Sequence, residues 1–115
     1  MTFELPMDLD VAIRAILPKY LEIRRCEQVR LRSALKAGDT RALEEMGHRI
    51  KGTGSSYGLP AMTDLGRELQ HAAGQGDLAL CAEHVEAMDR LLDQVAAALD
   101  REALDREARE RGDRA

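Results

Sequence analysis

DLALCAEHVEAMDRLLDQVAAAL, residues 77–99, carries the strongest periodic signal in the chain. Leu78, Cys81, Val85, Met88, Leu92, Val95 and Leu99 follow one another by alternating steps of three and four. At about 100° per residue those side chains stack on one face of a helix, and such a face must be buried against other helices. Asp77 stands at the position of an N-cap, where a carboxylate accepts from the first free backbone N–H groups.

Outward from this helix the same logic repeats. Gly74-Gln75-Gly76 closes a preceding helix that opens with Pro60, suited to a first turn, and carries Met62, Leu65, Leu69 and Ala72 or Ala73. Before it, Asp39 or Thr40 caps a helix with Leu43, Met46, Ile50 and Tyr57 on one stripe, ending at Gly58 and Pro60. Further back, Pro18 to Ala37 reads as a helix stopped by Gly38, with Tyr20, Ile23, Leu31, Ala34 and Leu35 sharing a face that Arg24 and Glu27 interrupt. Asp8 to Leu17 reads as a short separate helix that Pro18 ends. Strand-like alternation is absent, and the connections are short, which makes neighbours antiparallel. The predicted fold is all-α: an antiparallel four-helix bundle with a short additional N-terminal helix. Residues 1–100 form the domain, and 101–115, rich in Arg, Asp and Glu, a charged helical extension or frayed tail.

Composition narrows the function classes. The 115 residues hold no Trp, two Tyr and one Phe, so the core is built from aliphatic residues, Ala and Met. A net charge of −4 with interspersed signs provides no basic field for phosphate backbones, which argues against nucleic acid. The start, MTFELPMDLD, has acids where a signal peptide needs bases, and no apolar run approaches the roughly 20 residues of a membrane helix. The reading is a cytoplasmic protein without membrane association. Cys26 and Cys81 lack CxxC spacing and read as reduced thiols. Cys81 and His84 make a core thiol and a boundary imidazole rather than a metal site, and His71 a solvated histidine.

Chemistry concentrates in Gly47-His48-Arg49-Ile50-Lys51-Gly52-Thr53-Gly54-Ser55-Ser56-Tyr57-Gly58. The stripe of Leu43, Met46, Ile50 and Tyr57 centres opposite His48, so the imidazole faces outward. Lys51, Gly52 and Ser55 share its face, and Glu44 and Glu45 lie one turn before it. Interior glycines cost about 1 kcal/mol each relative to Ala, so Gly52 and Gly54 need a reason. Gly52 removes the side chain one turn from His48 and opens the imidazole to a macromolecule; Gly54, on the stripe, allows close helix packing. A neutral imidazole nitrogen is a good nucleophile near pH 7, its phosphoryl adduct is labile, and Lys51 supplies nearby positive charge.

These residues resemble the signature of histidine phosphotransfer (HPt) domains of multistep two-component relays, H-x-x-K-G-[ST]-[AGS]-x-x-x-G. The match is carried by His48, Lys51, Gly52, Thr53, Gly54 and Gly58. It continues through Leu65 and Leu69 to Gly76-Asp77 and back to Ala34 and Gly38-Asp39, over roughly residues 8 to 100. The resemblance implies a monomeric bundle without kinase activity of its own. In it His48 accepts phosphate, Lys51 supports it and Gly52 admits a receiver domain, while Thr53 and Gly58 are structural. Gly47 stands where Ala is common in the family. Implied partners are response-regulator receiver domains and a hybrid or sensor histidine kinase. The protein would need no cofactor or metal of its own, Mg²⁺ being held by the receiver. Arg41, Glu44, Glu45 and Ser55 are candidate partner-surface residues, with Arg24, Arg25, Gln28 and Arg32 as further candidates. The alternative is an HPt-shaped interaction module that regulates a kinase or receiver by binding alone, and a metal-binding bundle is a weaker third reading because the His and Cys spacing is poor.

Overall fold

Two Gly-Asp pairs fold in the same way and divide the chain. At Gly38, with φ +68°, the glycine N–H donates to Leu35 O at 3.1 Å and the Asp39 N–H to Ala34 O at 2.9 Å. At Gly76, with φ +72°, the corresponding bonds run to Ala73 O and Ala72 O, each at 3.0 Å. Each is a Schellman end, and the left-handed residue that it requires is glycine. The aspartate that follows caps the next helix at once: Asp39 Oδ1 accepts from Ala42 N–H at 3.1 Å, and Asp77 Oδ1 from Leu80 N–H at 3.0 Å.

The computed structural model describes residues 11–54 and 59–112. It contains four helices, α1 (Val11–Ala37), α2 (Thr40–Gly54), α3 (Pro60–Gly74) and α4 (Leu78–Glu110), with no strand among the described residues. α1 packs on α2 and α4, and α3 on α2 and α4, which closes an all-α four-helix bundle. Arg14 pairs with Glu102, Arg25 with Asp93 at 2.7 Å, and Arg32 with Asp89, so α1 rises as α4 falls. The core runs through Leu17, Leu31, Leu43, Ile50, Met62, Leu69, Cys81, Met88, Leu92 and Val95. Cys81, Val85, Met88, Leu92 and Val95 are buried as the periodicity predicts, while Leu78, at the edge, is 37% exposed.

Three expectations for α1 are corrected. The expected break at Pro18 does not occur: α1 is continuous from Val11, and the expected separate helix forms its first turns, residues 8–10 lying outside the described residues. An interior proline costs about 3 kcal/mol. Buried Leu17, Tyr20 and Leu21 on either side, together with the Arg14–Glu102 tie to α4, hold the helix through it. Ile23, expected on the apolar face, is instead 45% exposed. Arg24 and Gln28, expected at the surface, are buried together with Glu27. Arg24 pairs with Glu27 at 2.6 Å and lies 5.4 Å over the Tyr20 ring, and the Gln28 amide donates to Val85 O and Asp89 Oδ1, each at 3.1 Å. The polar interruption of the stripe is thus absorbed inside the bundle.

Candidate functional site

Asp39 starts α2, and burial of Leu43, Met46 and Ile50 against the core fixes the helix's rotation. His48 is therefore exposed, as are Arg41, Glu44, Glu45, Arg49 and Gly52, while Lys51 and Thr53 are half-buried. A Cβ added to Gly52 would meet nothing within 4 Å. The face one turn beyond His48 is open. Thr53 turns inward along its own helix, its hydroxyl donating to Arg49 O and Ile50 O at 3.3 Å, a local bond that occupies the group. Ser55, Tyr57 and Gly58 lie outside the described residues.

Arg41, Glu44, Glu45, His48 and Arg49 line one shallow open depression, and Gln70 of α3 completes it. The Gln70 side-chain amide nitrogen lies 3.5 Å from His48 Nδ1. Placed this way the amide nitrogen donates to a bare Nδ1; with the amide turned over, its oxygen accepts from Nδ1–H in the same contact. Arg41 and Glu45 pair on the surface at 3.6 Å. A second depression, lined by Glu44, Arg67, Gln70, His71, Gly74 and Gln75, continues the first along α3. Of the four candidate surface residues, Arg41, Glu44 and Glu45 lie in the His48 depression. Arg25 and Arg32 are instead engaged with α4.

Sequence reasoning missed Gln70 and Gly66. Both lie on α3, and only the register of that helix against α2 reveals them. A Cβ on Gly66 would stand 2.5 Å from Lys51 N, and one on Gly47 would stand 2.7 Å from Gln70 N. The helices thus meet backbone to backbone beside His48. The one signal that could have pointed there is the glycine in place of the commoner alanine at position 47.

His71 is exposed, and His84 Nδ1 lies 3.4 Å from Glu68 Oε2 at the α3–α4 boundary. Cys26 is exposed and Cys81 buried, both free; burial, with the Asp77 carboxylate adding to it, pushes the Cys81 thiol up. Among the described residues no three His, Cys, Asp or Glu side chains are grouped to hold a metal, and no helix is long and apolar enough to cross a membrane.

A family model described as the Hpt domain matches residues 22–98. No curated protein and no solved structure matches the chain.

Proposed function

The chain belongs to the Hpt domain family, whose members serve histidine phosphotransfer in two-component signalling, and from that premise we propose that it is a phosphocarrier that works through His48. The observation that carries this reading is the outward-facing His48 with Gln70 against its Nδ1 and open space over Gly52. In the tautomer that carries its proton on Nδ1, with the Gln70 amide turned so that its oxygen accepts from Nδ1–H, the lone pair of the ring stands on Nε2. That nitrogen attacks the phosphorus of a receiver's aspartyl phosphate; the N–P bond forms as the P–O bond breaks, and the aspartate leaves as a carboxylate. Nδ1 keeps its proton, so the phosphorylated ring is cationic and the phosphoryl group can pass to a second receiver by the reverse step. Lys51, one turn along, offsets the charge that spreads over the phosphoryl oxygens. Gly52 leaves room for the receiver to bring its acidic centre to the imidazole.

In this reading the receiver holds the Mg²⁺, and the carrier works in the cytoplasm between receiver domains and a hybrid or sensor histidine kinase, with no kinase activity of its own. Arg41, Glu44 and Glu45 form the rim on which partner choice acts, because charges at a rim govern encounter and rejection more than affinity.

The test is transfer from a panel of phosphorylated receiver domains to the wild type and to His48→Gln. Acid-labile label on the wild type alone is the expected result. Equal labelling of the variant would remove His48 from the role, and binding to a receiver without labelling would favour a module that regulates by contact.

A further inference from the structure

Gly47 and Gly66 face each other where α2 crosses α3, and each is buried. A Cβ on Gly47 would stand 2.7 Å from the backbone nitrogen of Gln70 and 2.9 Å from Gly66 O; a Cβ on Gly66 would stand 2.5 Å from the backbone nitrogen of Lys51 and 2.9 Å from Gly47 O. The atoms met are backbone, so no change of rotamer relieves the overlap; the helices themselves must part. The arrangement is reciprocal. Gly47 immediately precedes His48 and abuts the backbone of Gln70; Gly66 lies one turn before Gln70 and abuts the backbone of Lys51. Each missing side chain thus admits the main chain of a residue whose side chain serves the imidazole. Unlike Gly52, neither glycine opens anything to solvent.

We propose that Gly47 and Gly66 are positioning residues for His48: the close approach that they allow between α2 and α3 sets the reach of the Gln70 amide to Nδ1, and so holds the imidazole ring. The effect on the ring stands by itself; the effect on transfer rate rests on the phosphocarrier reading. The margin is narrow, because the Gln70 contact is 3.5 Å, the outer limit of a hydrogen bond. To restore an ordinary contact of 3.4 Å at the Gly47 Cβ, the backbones must part by about 0.7 Å. A parting of that size draws the amide's anchor away from a ring that it already reaches only at that limit. The same displacement moves Lys51 relative to α3.

The experiment reads the imidazole nitrogens of the unphosphorylated protein by ¹⁵N-edited NMR, with His48→Gln to assign the resonance among the three histidines. Gln70→Ala gives the signature of a ring without its amide partner. Gly47→Ala and Gly66→Ala are expected to keep the helical circular dichroism and to move the Nδ1 and Nε2 shifts of His48 toward those of Gln70→Ala. Their phosphotransfer rates should fall at least about tenfold, since a misplacement of about 1 Å can cost about a hundredfold.

A folded Gly47→Ala and Gly66→Ala with wild-type imidazole shifts would overturn the proposal, and so would a Gln70→Ala that leaves those shifts unchanged. Loss of the fold in both alanine variants would also overturn it, because the glycines would then serve packing alone. If the shifts move as expected but the wild type takes up no phosphate from any receiver, the phosphocarrier reading fails and the positioning stands.

Discussion

Gly52 and Gly47 lie on the same helix and are glycine for opposite reasons: the first has empty space above it, the second has backbone against it. By helix propensity the two carry the same cost, about 1 kcal/mol relative to Ala. Only the surroundings separate them, and they give opposite signs to a substitution. Gly52→Gln replaces an exposed glycine by a good helix former, so the fold gains up to about 0.5–1 kcal/mol, reduced by the nearness of the helix end. The new side chain also stands in the approach to His48. The expected outcome is a melting temperature equal to or above that of the wild type with phosphotransfer at least about tenfold slower. Thermal unfolding and a timed transfer assay measure the two; transfer at the wild-type rate would show that the open space over Gly52 is not the route of the partner. The outward face of His48 was legible because three apolar residues of α2 fix its rotation by local periodicity alone. Gln70 was not, because its relation to His48 depends on how α3 slides along α2, and a single stripe does not encode that register.

Helix boundaries separate in the same manner. Gly38-Asp39 and Gly76-Asp77 are legible since their chemistry is local: a left-handed residue ends one helix and a carboxylate starts the next. Pro18 misleads because its local penalty is outweighed from a distance by α4 and the core. Arg24 and Gln28 mislead for a related reason, since charged and amide side chains on an apolar face read as surface until their partners are known. A proline tolerated rather than required makes a clear prediction. Pro18 is exposed, so Pro18→Ala restores the N–H for Arg14 O and removes the ring clash without opening a cavity. Stability should rise by about 1–3 kcal/mol, which for a domain of this size raises the melting temperature by several degrees. Thermal denaturation checks it; an unchanged or lower value would mean that α1 bends at Pro18 in solution to gain contacts that a straight helix lacks.

At the scale of the molecule, two long helices carry two short ones. α4 has 33 residues, about 50 Å of helix, and α1 has 27, whereas α2 and α3 have 15 each. The family match, residues 22–98, covers the part in which all four helices meet and His48 stands. Beyond it α4 continues with Leu99 half-buried, Leu104 64% exposed and Glu102 tied to Arg14. Past Ala98 no described residue is buried. We propose on this ground that the part of the extension from Leu104 onward is held by the bundle rather than holding it. Deletion of residues 104–115 removes exposed apolar surface and charges of both signs but keeps the Arg14–Glu102 tie. It should shift stability by no more than about 0.5 kcal/mol, the range of ordinary surface changes, and leave receiver-dependent labelling of His48 within about twofold of wild type. Deletion from Leu99 onward also removes the packed leucine and the ion pair, which frees the first turns of α1 and should cost about 1–3 kcal/mol. Melting curves of the two truncations distinguish a passive extension from an active one. If the shorter deletion already lowers stability as far as the longer, residues after Ala103 hold α1 in place; if it leaves stability alone but abolishes labelling, the charged end of α4 belongs to the surface that receives the partner.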